Sequence, residues 1–248
     1  MQTAVKISLY SCGLVHHVFT TFYILTQIDF SRGKDQRIMD MYIYNNRYLT
    51  SWNMGLQLLY FTLALIHECM MLNKSFLTTR SSRNLYRIRG YLFTSLVAPC
   101  TLVVASFFWA FYHVDKNYMV PVGADEIIPS WINHSIHTNI LFLPAVEILL
   151  PKMYTPTFWN SFLGITLFST VYDTLFLFTY FDTGKWMYPL YDQLNWFQRI
   201  MLLAVMYTTS LICCRLIIAI QSMKTDTCEE IAKRDYKQRV ASVTKKLL

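Results

Sequence analysis

Six apolar stretches, each close to the roughly 20 residues that a helix rising 1.5 Å per residue needs to cross a hydrocarbon layer, constrain this chain more than any other feature. They run over about residues 5–26, 48–72, 91–113, 130–150, 157–181 and 196–221 of 248. The polar segments between them are too short to hold a soluble domain. Charged residues make up 15% of the chain, against about 25% in soluble domains. Seventeen Tyr, seventeen Phe and six Trp supply the amphipathic rings that the two bilayer interfaces favour. The expected fold class is an all-α integral membrane protein, a bundle of six transmembrane helices over 1–221 with a polar tail over 222–248. The first stretch carries Lys6 ahead of an apolar run, as a signal peptide does, but has no small-residue cleavage site before Asp29 and is expected to stay as helix one.

Orientation follows from the Lys and Arg left outside the spans. With the N-terminus in the cytosol, fourteen lie on the cytosolic side: Lys6, five between Lys74 and Arg89, Lys152 and seven in the tail. Seven lie opposite: Arg32, Lys34, Arg37, Arg47, Lys116, Lys185 and Arg199. Both termini are therefore expected to be cytosolic, and the sequon at Asn73 is expected to stay unglycosylated. The net charge of +7 is confined to these short segments, which points to anionic headgroups of the lipid bilayer as the partner and away from nucleic acid. The ending Lys245-Lys246-Leu247-Leu248 resembles a dilysine retrieval signal, so the endoplasmic reticulum or another endomembrane is the expected location, with the plasma membrane as the alternative. Cysteines 12, 69, 100, 213, 214 and 228 form no CxxC pair, so neither a disulfide framework nor a zinc site is expected; Cys228 in the tail is a candidate for palmitoylation. Oligomeric state is not legible.

Polar residues inside membrane spans are rare and face the bundle interior. In the second stretch Thr50, Asn53, Gln57 and Glu68 follow one helical face, interrupted by Phe61 and Ala64. The fourth opens with Trp131, Asn133, His134 and His137, with Asn133 and His137 four apart on one face. Both stretches enter from the same side, and the depths of Thr50 and His137 differ by about 6 Å. Neighbouring helices 8–10 Å apart bring such side chains together. A threonine hydroxyl becomes a competent nucleophile when a base takes its proton, and neutral imidazole is the side chain suited to that near pH 7. The pair is chemically adequate for acyl transfer. The structural alternative is a Thr bonded to the carbonyl four residues before it and an interfacial, half-solvated His.

Three segments carry a resemblance. Arg47-Tyr48-Leu49-Thr50 with Asn53 and Gln57, the run from Pro129-Ser130-Trp131 through Asn133-His134 to His137-Thr138, and Thr183-Gly184-Lys185-Trp186-Met187-Tyr188-Pro189 together resemble the family of the androgen-induced gene one and androgen-dependent TFPI-regulating proteins. The resemblance covers nearly the whole hydrophobic chain in order and spacing and leaves the tail unmatched. It implies six crossings and a threonine-dependent hydrolase, without cofactor or metal, that cleaves fatty acid esters of hydroxy fatty acids. Thr50 then stands at the nucleophile's position and His137 at its partner's. Members of that family often carry Asp where this chain has Asn53.

Four further residues are candidates for substrate or oxyanion binding. Asn133 or Asn53 could offer an amide N–H to the oxyanion. Arg47 could hold a substrate carboxylate, its alternative being an ordinary snorkelling arginine, and His134 could line the cavity mouth. Two other readings stand beside the hydrolase. A non-enzymatic carrier or regulator would use the polar stripe as a passage or contact, although few Gly or Pro interrupt the spans. A metal-dependent lipid enzyme would use His113, His134 and His137 as ligands.

Overall fold

The computed structural model describes residues 2–72 and 80–224; the Asn73 sequon, Cys228 and the dilysine-like ending lie outside the described residues. Among the described residues all regular structure is helical. Each apolar stretch forms a long helix: α1 Gln2–Thr26, α2 Leu49–Leu72, α3 Arg80–Val114, α4 130–149, α5 Phe158–Thr183 and α6 Trp196–Ser222. Helix α3 starts earlier than hydropathy suggests, because its first turns are a polar amphipathic segment with buried Ser82 and Arg89. Helices α2, α3, α5 and α6 are long and apolar enough to cross a membrane. Helices α1 and α4 have comparable length, but His16, His17, Asn133, His134, His137 and Glu147 lower their hydropathy.

Helix α3 is the axis of the bundle. Of its most apolar window 67% is buried, against 22% in α5 and 17% in α6. It packs on α2, α4, α5 and α6, while α1 lies against α2. The outer faces of α5 and α6 expose Trp159, Leu163, Leu167, Phe197, Ile200 and Leu216, as helices whose solvent is lipid do.

Two widened π turns, Phe93–Val97 and Ser135–Asn139, interrupt α3 and α4. Each lies just ahead of a proline, Pro99 or Pro144, whose missing N–H and bulky ring a regular helix cannot accommodate without local adjustment. Pro144 leaves the Ile140 carbonyl without its helical donor, and the Gln57 side-chain amide supplies one at 3.2 Å. Gln57 also donates to Thr101 Oγ1 at 2.7 Å and accepts from His17 Nε2 at 2.9 Å. One buried amide thereby joins α1, α2, α3 and α4 with every hydrogen atom and its oxygen used.

At the end of the bundle holding the α1 N-terminus, Arg89 forms a second polar layer. Its guanidinium meets Glu68 at 3.2 Å, Glu147 at 3.4 Å, the Tyr10 hydroxyl at 2.9 Å and His67 Nδ1 at 2.8 Å. Tyr10 and Tyr60 donate to Glu147, and Lys6 lies 3.6 Å from Glu68. Two carboxylates are thus balanced by two cations across four helices. At the opposite end the connections fold into a roof. Residues Ile28, Phe30, Ile38, Val120, Ala124 and Ile128 bury against Phe108 and Ile132. Ion pairs Arg37–Asp192 and Lys185–Asp40, both 2.7 Å, tie the first connection to the last.

Removing one partner of a buried ionic network leaves charge uncompensated, at a cost of about 3–5 kcal/mol. Arg89→Met is expected to lower thermal stability in detergent far more than Arg83→Met at an exposed position of the same helix. Adding Glu68→Gln and Glu147→Gln to Arg89→Met is expected to recover part of the loss.

Candidate active site

Thr50 occupies the first turn of α2, where backbone amides lack helical acceptors and the helix dipole favours developing negative charge. Its position is fixed from two sides. The preceding Leu49 amide donates to the Tyr172 hydroxyl at 3.0 Å, and Tyr48 donates to the Met187 carbonyl at 3.1 Å. His137 lies in the π turn of α4, buried, with its ring parallel to Phe108 at a centroid distance of 3.4 Å and an interplanar angle of 4°. Thr50 Oγ1 and His137 Nε2 are 3.4 Å apart. This is longer than an optimal hydrogen bond, as catalytic contacts commonly are before substrate draws them together.

The tautomer of His137 follows from its other nitrogen. Nδ1 is 3.1 Å from the Asn133 carbonyl oxygen, which can only accept, so Nδ1 carries the proton and Nε2 presents a lone pair to Thr50. A second group arrives from the opposite side, where Tyr188 lies beside Thr50 and Tyr172. The Tyr172 oxygen accepts from Leu49. Donation at the pair itself runs from Thr50 through His137 to the Asn133 carbonyl. Burial pushes the Tyr188 phenol up to about 12, which keeps it a proton donor at neutral pH.

Thr50, His137 and Tyr188 stand at the wall between two cavities. The larger, about 580 Å3, lies among α1, α2, α4 and the roof, lined by apolar side chains with His17, Asn45, Asn46, Ser51 and Asn133 as polar points. A volume of 300–1,000 Å3 suits a ligand of drug size or a folded lipid. The smaller, about 50 Å3, lies among α2, α3, α5 and α6 and is lined by Phe107, Phe111, Phe176, Leu202 and Met206.

The other candidate residues separate. Asn133 lines the large cavity. Asn53 is fully buried below it, with Oδ1 accepting from Thr101 at 2.8 Å and its amide nitrogen unpartnered among the described residues. Arg47 turns to the end of α5, 3.2 Å from Thr179 and 3.7 Å from Asp182, and does not line either cavity. His134 points outward, against Trp109 and 3.2 Å from Thr138, because the π turn between it and His137 rotates the two rings onto different faces. His113 also stacks on Trp109, and among the described residues no three His, Cys, Asp or Glu converge on a metal position. Tyr188 was legible only as part of a motif, since its role depends on a connection folding back over the start of α2.

The FAR-17a/AIG1-like protein family model matches residues 7–222. The androgen-dependent TFPI-regulating protein of Mus musculus is 31% identical over 153 residues, covering 60% of this chain and 64% of that protein, so the match spans somewhat less than two thirds of its length. That of Rattus norvegicus is 30% identical over 189 residues, 73% of this chain and 79% of the relative. The androgen-induced gene 1 protein of Homo sapiens is 26% identical over 158 residues, 60% of this chain and 64% of the relative. No solved structure matches the chain. With the match extending from the first turns of α1 to the end of α6, the chain belongs to the FAR-17a/AIG1-like family.

Proposed function

We propose that this protein is an intramembrane lipid ester hydrolase that cleaves fatty acid esters of hydroxy fatty acids, with Thr50 as nucleophile and His137 as base. The observation that carries the reading is the Thr50 hydroxyl facing the unprotonated nitrogen of a histidine whose other nitrogen is committed to the Asn133 carbonyl. As Oγ1 attacks the ester carbonyl, His137 Nε2 takes its proton and returns it to the departing hydroxy fatty acid. The acyl group stays on Thr50 until water hydrolyses it. Tyr188, beside the nucleophile, donates to the carbonyl oxygen as charge develops there, a role that does not fall to Asn53, which lines neither cavity. The large cavity takes the longer arm of the branched substrate. Asn45, whose oxygen already accepts from Ser51, leaves its amide N–H groups for the polar end of that arm.

The same reading places the chain across the bilayer six times, both termini cytosolic. The roof and the Thr50–His137 pair then lie in the non-cytosolic leaflet, and the Arg89 layer lies in the cytosolic one. A second reading comes from the name of the mouse and rat relatives, which speaks of regulation of another protein. A regulator acting by contact does not need the Thr50 hydroxyl.

Membranes containing the protein are expected to hydrolyse a palmitic acid ester of hydroxystearic acid. Thr50→Ala and His137→Ala are each expected to lower turnover by about 10³-fold or more at unchanged expression. A fluorophosphonate probe is expected to label wild type and not Thr50→Ala; full activity in either variant removes that residue from the mechanism, and persistent activity in both favours the regulator. Tyr188→Phe, which deletes one hydroxyl, is expected to lower kcat by about 10²-fold with little change in KM. In sealed microsomes carrying cysteine-free protein, Lys152→Cys is expected to react with an impermeant maleimide and Lys34→Cys only after permeabilisation.

A further inference from the structure

A third cavity continues the line of the first two, and its chemistry differs from theirs. It lies among α3, α5 and α6, measures about 40 Å3, and shares Leu49 and Tyr172 with the small apolar cavity beside Thr50. Its lining carries Asp173, Ser169, Tyr207 and Ser210. Asp173, Ser169 and Tyr172 fall on one face of α5, at i, i+3 and i+4 spacing. Asp173 stands ten residues from the end of α5 at Thr183, about 15 Å along the helix axis. There it has neither a hydrogen-bond nor an ion-pair partner among the described residues. A carboxyl group at such depth without a protein partner is costly unless something else solvates it.

We infer that this hydroxyl-lined cavity, anchored by Asp173, is a water site that supplies the hydrolytic water to the acyl group on Thr50. The inference rests on the hydrolase reading and extends it to the second half of the reaction. A single buried water needs about 10–15 Å3 of such space and two to four polar partners. The Asp173 cavity has room for about three, and Ser169 of α5 and Ser210 and Tyr207 of α6 add hydroxyl groups to its lining. The small cavity beside Thr50 offers few polar partners beyond the catalytic groups themselves. The lipid arm fills the large cavity, so water reaching the acyl carbon from that side would have to pass the substrate. From the Asp173 side it passes between the residues that line both small cavities, Leu49, Val103, Tyr172, Leu203 and Met206. The water gives a proton to His137 Nε2 as its oxygen bonds to the acyl carbon. The carbon–Oγ bond then breaks, the proton returns to Thr50 Oγ1, and the fatty acid leaves. Asp173 is thus a positioning residue: it holds the water that reacts and does not touch the acyl group.

The two halves of the reaction separate with a p-nitrophenyl ester of a medium-chain fatty acid and purified full-length protein. In Asp173→Leu the first equivalent of p-nitrophenol is expected at the wild-type rate, while steady-state turnover falls about tenfold or more. Mass spectrometry is expected to find the acyl group accumulated on the peptide containing Thr50. Asp173→Asn, which still hydrogen-bonds water, is expected to restore most of the steady-state rate. An unchanged steady state in Asp173→Leu, or equal loss in both phases, overturns the water site while leaving the hydrolase reading intact. Should Asp173→Leu fail to bind the fluorophosphonate probe and so prove unfolded, Ser169→Leu is read by the same two phases with the same consequences. Absence of any acyl-Thr50 in wild type overturns the hydrolase reading, and the water site with it.

Discussion

The side chain of Gln57 sets the register of the bundle. Its amide touches α1, α3 and α4 from α2, and the acceptor it finds on α4 exists because Pro144 cannot donate to Ile140. In an apolar surrounding an unmet amide is expensive, so a sliding of α2 against α4 by one residue would strand several polar groups at once. Seven residues earlier on α2 stands Thr50, and three residues before Ile140 on α4 stands His137. The meeting of these two groups is therefore a consequence of the register fixed beneath them.

Polar groups in this bundle are layered. The Arg89 layer at one end is nearly closed: two carboxylates, two cations and two tyrosines pair with one another across α1 to α4, with Arg89 Nε left over. The Gln57 layer in the middle leaves the Asn53 amide and His17 Nδ1 over. The layer at Thr50 is open, since its hydroxyl and imidazole face a cavity on either side. Closed layers hold helices in place, and an open one leaves directed lone pairs and protons available to a ligand. The His137 ring is oriented in advance by the Asn133 carbonyl, the condition under which electrostatic stabilisation needs least rearrangement.

The roof extends the same logic outside the helices. Connections that read as polar and short fold into 3-10 and α-helical turns, with Asp29 and Asp35 capping the turns that follow them. Ile28, Phe30, Val120 and Ile128 turn inward and close the large cavity from above. On the hydrolase reading proposed above, a roof over the cavity would limit the bulk water that meets a bound ester and make the source of hydrolytic water a structural matter.

The helices themselves were legible without coordinates, because a run of about 20 apolar residues leaves a backbone in lipid few alternatives to hydrogen-bonding within itself. The polar face of α2 and the Asn133-to-His137 spacing on α4 were legible too, since helical periodicity is local. What no local rule contains is the direction a side chain takes once neighbours and distortions act on it. The π turn ahead of Pro144 sends His137 inward and His134 outward, although both belong to one motif. Asp182 and Thr179, distant in sequence, draw Arg47 from the cavity, and Thr101 holds Asn53 below it. Tyr188 reaches Thr50 only because the last connection folds back over the start of α2. The sequence by itself determined a membrane-type helical chain and the chemistry it carries. Tertiary structure alone decided which polar groups face one another, because hydrogen bonds between helices depend on register and rotation that no single helix encodes.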